Sequence, residues 1–440
     1  MLNQDLEVSA NMSGKIDLAF GLNGVAAINI SGAQTTPFSM INGPDDTLYV
    51  CGTVRPQGES KFFITALNSA GEIISEFGNK GYVIGVFDEG ESSNAIELVL
   101  KNDKLLLVGS SYIGTDPYPA LARFDLMGNI DPTFGETGRG KIVHFIPGPA
   151  GTSPDQKLST FFKSDSENGG IQKNSLIELD DGKILLSHYF FRSGAPSYGV
   201  IVRTLANGSL DTNFNGKGYL EVIAPGNENG QTQIQDVTVD SEGRYVVCGS
   251  IWARDSSPVQ TFFARFSSNG TPDLTFGPQG FRIVNDPEGL PGGARAEVLQ
   301  SLENGGILSL GTSVHEPYIG QLLQLQANGE FDPEFNKGKP LNTRLAESST
   351  LWKTFTRQTD GKLVVAGAID KNKNSLIFDI VVARFDETGA PDLTFNEPLG
   401  WARTRLSPQT DAVFSVVLQR EKIVVAGISG TNGVVVRYHG

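Results

Sequence analysis

Apolar positions fall in short β-branched and aromatic runs separated by polar turns, and nowhere in a sustained 3.6-residue period, which predicts strands throughout and little helix. One run recurs as LYVCG, LLLVG, ILLSH, YVVCG, ILSLG, LVVAG and IVVAG. It commonly follows a polar pair such as Asp181-Gly182, Glu242-Gly243, Asn304-Gly305 or Asp360-Gly361, the chemistry that closes two-residue hairpins because glycine accepts a positive φ. A further run (ALARFD, GVIVRTL, FFARFSS, IVVARFD, VVVRYHG) leads into a G-x-x-D phrase, and another strand (GVAAINI, GYVIGVF, GKIVHFI) follows it. The unit is four short strands.

The phrase itself appears seven times: GKIDLAFG, GEIISEFG, GNIDPTFG, GSLDTNFN, GTPDLTFG, GEFDPEFN and GAPDLTFN. Its phenylalanines, Phe20, Phe77, Phe134, Phe214, Phe276, Phe335 and Phe395, are spaced by 57, 57, 80, 62, 59 and 60 residues. The one long interval carries a Gly-, Pro- and Ser-rich stretch, 147–174, that reads as an inserted loop. Four antiparallel strands repeated seven times predict an all-β, seven-bladed β-propeller with four-stranded antiparallel blades, a fold whose radial repetition protects sheet edges. The chain stops at VVVRYHG, the strand that elsewhere runs into the phrase, so the N-terminal GVAAINI is expected to complete the last blade as its outer strand. Residues 1–13 then form an N-terminal extension and 14–440 a single propeller.

These repeats resemble the delta-60 repeat family, whose units read Q-x-D-G-K-I-x-V-x-G, a strand with arginine, then G-x-L-D-x-x-F-G. The pattern is carried here by Gln358–Gly367 (QTDGKLVVAG), Arg384 and Gly389–Phe395, with weaker copies elsewhere. The resemblance implies a propeller and no defined activity.

Residues shared by every blade serve the scaffold, so function is sought where blades differ. The seven phenylalanines are expected between blades. The aspartates Asp17, Asp131, Asp211, Asp273, Asp332 and Asp392 are expected to accept turn N–H groups. Arg123, Arg203, Arg265, Arg384 and Arg437 are expected to pair with them. The one repeat with Ile74 in place of Asp has Ala66 in place of Arg, although Gln324 stands beside an intact Asp332. Cys51 and Cys248 occupy equivalent places three blades apart, too far for a disulfide, and are expected as reduced core thiols.

With the first strand of each blade at the axis, the loops between second and third strands, and those between blades, share one face. These loops hold the candidate ligand contacts Tyr112, His188, Tyr189, Arg192, Trp252, Arg254, Asp255, His315 and Tyr318, aromatic or charged types enriched at interfaces. His188 stands where the six other blades have glycine. The inserted loop is expected to overhang the same face.

Composition narrows the partners. Glycine at 52 of 440 residues exceeds the usual ~7%, in keeping with many tight turns. A net charge of −14 argues against nucleic acid and anionic membranes. No apolar run is long enough for a membrane helix, and the N-terminus lacks signal-peptide features, so the expected location is cytoplasmic, with leaderless export as the alternative. Phosphate-binding, G-x-S-x-G and metal-ligand spacings are absent, so no cofactor, metal or catalytic residue is assigned. The resulting expectation is a monomeric, non-catalytic binding or scaffold protein for a protein, peptide or glycan. The alternative is a hydrolase or lyase acting on a saccharide or small ester, with His188, Arg254, Asp255 and His315 at the channel mouth.

Overall fold

The computed structural model describes residues 12–30, 32–56, 59–114, 116–135, 138–146, 176–190, 196–252, 258–284, 289–290, 292–370 and 377–440. The expected inserted loop, 147–174, lies outside them, as does most of the expected N-terminal extension.

Seven four-stranded antiparallel sheets follow one another along the chain. After β1 (Val25–Ile28), blade 1 comprises β2 (Gln34–Asn42), β3 (Leu48–Arg55), β4 (Lys61–Leu67) and β5 (Tyr82–Gly85). Blade 2 comprises β6 (Ser92–Lys101), β7 (Lys104–Ile113), β8 (Asp116–Asp125) and β9 (Lys141–Val143), and blade 3 comprises β10 (Leu176–Glu178), β11 (Ile184–Phe190), β12 (Tyr198–Thr204) and β13 (Tyr219–Val222). Blade 4 comprises β14 (Gln231–Val239), β15 (Tyr245–Trp252), β16 (Gln260–Phe266) and β17 (Phe281–Val284). Blade 5 comprises β18 (Ala294–Ser301), β19 (Ile307–Ser313), β20 (Gly320–Leu325) and β21 (Leu341–Thr343). Blade 6 comprises β22 (Thr350–Arg357), β23 (Leu363–Asp370), β24 (Phe378–Phe385) and β25 (Trp401–Thr404). Blade 7 comprises β26 (Asp411–Gln419), β27 (Lys422–Ser429) and β28 (Asn432–His439), with β1 as its fourth strand.

Val25 pairs with Val436 and Ile28 with Gly433, so the two ends of the chain close the ring as the sequence predicts. At six of the seven junctions the first strands of neighbouring blades touch one another, so these strands surround the axis.

Packing between blades comes from the repeated phrase. Seven apolar clusters each join two adjacent blades, and each contains one phrase phenylalanine, all at most 1% exposed. The ring of one blade lies against the phrase glycine of the next. At Gly208, φ is +91° and a β-carbon would stand 2.6 Å from the Phe134 ring, so the position needs glycine for both conformation and space. Burying such a ring contributes roughly 1.5–3 kcal/mol.

All six phrase aspartates accept a backbone N–H two residues on, at 3.0–3.3 Å. The five arginines each donate from Nε to their aspartate at 2.7–2.9 Å. Each guanidinium also lies 4.5–5.0 Å from its own phrase phenylalanine. Four of them reach across to the next blade, donating to the carbonyls of Ala206, Ser268, Ala327 and Ser69. The two exceptions are compensated. Gln324 donates its amide to Asp332 at 2.6 Å, and in blade 1 the Tyr49 hydroxyl donates to Leu126 O, the carbonyl equivalent to those four, at 3.1 Å.

The glycine-bearing turns differ from the two-residue form expected. Asp240 and Arg244 close a loop of three residues with Gly243 at φ +76°, a type I turn ending in a left-handed residue. Blade 2 does use a two-residue turn, with Asn102 and Asp103 both at positive φ.

Candidate functional site

Hairpin turns and phrase turns share one face, the hairpin face. Loops between second and third strands and between blades share the other, the mouth. At five junctions an amide at the start of one blade's first strand donates to a carbonyl at the start of the preceding blade's third strand: Ser93 to Ser60, Thr232 to Ser197, Ala294 to Val259, Thr350 to Tyr318 and Thr35 to Thr431, at 2.8–3.2 Å. The mouth is thereby stitched by backbone, which leaves its side chains free to vary.

Six first strands carry a β-bulge opposite the glycine that ends the recurrent run. The bulge presses a carbonyl toward that glycine: at Gly109 a β-carbon would stand 1.8 Å from Asn94 O. Blade 3 has His188 there. His188 is 1% exposed, and its Nε2 lies 3.2 Å from Pro117 O. Pro117 is the blade 2 counterpart of Ser60 and Val259, so the imidazole meets the carbonyl that elsewhere takes an amide. This contact requires Nε2 to carry the proton, and burial lowers the His188 pKa to about 4, with the Pro117 hydrogen bond opposing the shift. His144, also buried, is lowered to about 4 by burial.

The other predicted contacts are distributed around the ring. Tyr112, half-buried, accepts a hydrogen bond from Asn94 Nδ2 at 2.9 Å, and Asn94 Oδ1 accepts one from Ser60 in blade 1 at 2.7 Å. Burial raises the Tyr112 pKa against the opposing influences of Arg55 and Asn94. Tyr189 is buried, and Trp252 is half-buried at the end of β15, opposite Gln231. His315 is exposed, with its ring over Gly292. Tyr318 is half-buried, its amide donating to Ser349 Oγ at 3.0 Å, and its hydroxyl pKa is raised by burial and by Glu316. Arg192, Arg254 and Asp255 lie outside the described residues. His188 faces blade 2 and His315 faces the junction of blades 4 and 5, so these two do not converge on one site.

What the structure does bring together is an eighth apolar cluster, separate from the seven between blades: Ala368 and Phe378 of blade 6, Ala412, Phe414 and Ile428 of blade 7, and Phe38 of blade 1. The Phe38 and Phe414 rings are 5.7 Å apart, and Phe38, Phe378 and Ile428 are only half-buried. Phe38 and Phe414 are the extra residues of their bulges. At the bulge of blade 6 the equivalent residue is Lys353, whose Nζ binds Glu297, the bulge residue of blade 5, at 3.0 Å. Thus aromatic side chains occupy the ring at blades 7 and 1, and an ion pair occupies it at blades 5 and 6.

Beside the cluster, on blade 6, Asp379 is fully buried and accepts from Arg403 at 2.7 Å and Arg405 at 3.3 Å. Across the junction Asp411 accepts the amides of Leu406 and Ser407 at 2.7 and 3.0 Å. The sequence reading missed all of these. The shared Phe-Ser of TPFSM and AVFSV was the signal for Phe38 and Phe414. Among the described residues no group of three or more His, Cys, Asp or Glu side chains is placed to hold a metal ion, and no helix is long and apolar enough to cross a membrane. Cys51 and Cys248 are both buried and are not joined in a disulfide, and burial pushes the Cys51 thiol pKa up.

Four segments, 100–134, 179–214, 241–276 and 358–395, match a family described as a domain of unknown function (DUF5122) beta-propeller. Each match ends on a phrase phenylalanine. The chain is a β-propeller repeat protein. No curated protein sequence matches it. Among solved structures it is similar to a catalytically inactive virginiamycin B lyase from Staphylococcus aureus with quinupristin, at 9% identity over 94% of this chain and 98% of that one, TM-score 0.45. It is also similar to polysaccharide lyase Uly1 at 10% identity over 95% and 93%, TM-score 0.47. A third is Sqt1 from Chaetomium thermophilum, at 12% identity over 93% and 96%, TM-score 0.45. None of these likenesses says what this propeller binds or does.

Proposed function

We propose that this propeller is a non-catalytic binding platform built of delta-60 repeats, and that its mouth takes a protein or peptide with an apolar anchor residue. The eighth cluster carries this reading. Seven clusters account for the seven blade junctions, whereas the Phe38, Phe378 and Phe414 group is left half-open across three blades. Partly exposed aromatic rings backed by buried neighbours resemble the anchor pockets that dominate binding energy at interfaces. The nearby pair Arg403 and Arg405, held by Asp379, supplies a polar rim.

The test is a peptide-display selection on the wild-type chain, repeated on Phe38→Ala/Phe378→Ala after its melting curve shows a folded protein. Peptides sharing an apolar anchor should enrich on the wild type and lose at least about tenfold in affinity on the double variant. Equal binding by both proteins would remove the cluster from the interface. A glycan array giving saturable binding where no peptide enriches would replace the partner class.

A further inference from the structure

On the mouth between blades 4 and 5, away from the aromatic cluster, lies a cavity of about 210 Å³. Its walls come from the start of β16 (Thr261), the end of β17 (Val284), the connection to blade 5 (Leu290) and the start of β18 (Ala294), all at most 8% exposed. The framework is tightly held: Val259 N donates to Gly292 O, Ala294 N donates to Val259 O, and a β-carbon on Gly293 would stand 1.8 Å from Val259 O. Among the described residues no ionisable side chain lines it.

One lining group has unused capacity. Gln321 of β20 is 2% exposed and donates its Nε2 to Asn342 Oδ1 at 3.0 Å, which fixes the amide orientation, while its Oε1 accepts no hydrogen bond from the described residues. A side-chain acceptor that lines a cavity and takes no donor from the described residues marks a place for a ligand donor. A full charge is disfavoured, since no side chain among the described lining residues would compensate it. The volume is below the roughly 300–1,000 Å³ of drug-sized sites. We propose that this cavity binds a small uncharged molecule, one ring or a short branched chain, whose N–H or O–H group donates to Gln321 Oε1 while its apolar body packs on Val284, Leu290 and Ala294. This assignment does not rest on the peptide-binding reading.

The probes are phenol, toluene and benzoate, titrated by NMR against the full chain. Phenol should saturate with a Kd on the order of 1 mM or tighter, given the efficiency of very small ligands. Toluene, which lacks the donor, should bind about fivefold more weakly, and benzoate should not saturate. Ala294→Leu and Val284→Phe, each filling the cavity from a different strand, should abolish phenol binding in whichever variant melts like the wild type. Gln321→Leu, if folded, should bring phenol down to the toluene level. The proposal is overturned if phenol does not saturate, if toluene or benzoate matches it, or if phenol binds a folded cavity-filling variant undiminished.

Discussion

The hairpin face and the mouth solve the same problem, joining seven sheets into a ring, with different groups. On the hairpin face phrase-turn amides cross to the next blade, as from Gly78 to Met127, and a side-chain joint is added: an arginine spans its own aspartate, its own phenylalanine and the next blade's carbonyl. At the mouth the joint is made by main-chain amides, as from Ala294 to Val259. The arginine joint repeated on the hairpin face fixes residue identity there, and main-chain joints, present on both faces, leave it open. The hairpin face is therefore repetitive, and the mouth is where blades can differ without loosening the ring.

The contrast is broken most severely by removing a hairpin-face arginine. Arg265 has a side chain only 2% exposed, and Arg265→Ala would strip the main partner from Asp273 and the donor from Ala327 O. Breaking a buried pair from one side costs about 3–5 kcal/mol, here nearer the lower figure because Arg244 lies 3.4 Å from the same carboxylate. Arg265→Gln should recover part of that loss, since blade 5 uses Gln324 in this way. Urea unfolding midpoints check both.

Acid separates the faces by pH. His144 and His188, on the mouth side, have folded pKa values near 4 against an ordinary 6.5, so the folded state binds fewer protons than the unfolded one. Their contribution is whole above about pH 6.5 and is lost as pH falls toward 4, a change on the order of a few kcal/mol. On the hairpin face burial alone would raise the pKa of Asp131 and Asp392, but the threonine hydroxyls and amides with Arg123 and Arg384 outweigh it and hold both at about 2. Their stabilisation is present above about pH 4 and disappears as pH falls toward 2. Urea midpoints taken from pH 7 to 2 should fall in two stages. His188→Gln, which can still offer an amide to Pro117 O, should shrink the first stage and leave the second. A variant with an unchanged first stage would show that His188 is not the titrating group.

Within the hairpin face, blade 1 offers a smaller test. Tyr49→Phe removes only the hydroxyl that reaches Leu126 O in place of the missing arginine. The expected cost is about 1 kcal/mol, the usual worth of one such bond. No measurable change would mean the blade 1 junction holds by packing alone.

These asymmetries were unequally legible in the sequence. Seven phrases at a near-constant interval announced the blades and their closure because the same contacts recur at every junction, and the Arg–Asp pair could be inferred from its joint loss at Ala66 and Ile74. The mouth could not be read this way. Phe38 and Phe414 reach the eighth cluster from bulges, where the alternation of inward and outward side chains slips by one, so a strict two-residue pattern does not say which way they point. The tyrosines and histidines singled out instead stand at strand ends (Tyr112, His188, Tyr189) or in a loop (His315, Tyr318) at different junctions, and adjacency between blades is set by the ring, not by distance along the chain. His188 was legible as an exception to glycine, but its partner Pro117 belongs to the preceding blade.

The weakest expected effect sharpens the comparison most. Arg405 makes an ion pair with a fully buried carboxylate, as the hairpin-face arginines do with theirs, yet its side chain is 54% exposed, and Asp379 keeps Arg403 at 2.7 Å when Arg405 is gone. Exposed pairs contribute roughly 0–1 kcal/mol, and with the carboxylate still held Arg405→Ala should cost no more than about 0.5 kcal/mol. If Arg405 belongs to the rim of the interface, peptides selected on the wild type should bind the variant more weakly although its melting curve is unchanged. A stability loss approaching that of Arg265→Ala would instead make Arg405 part of the scaffold, and the division of labour between the two faces would fail at blade 6.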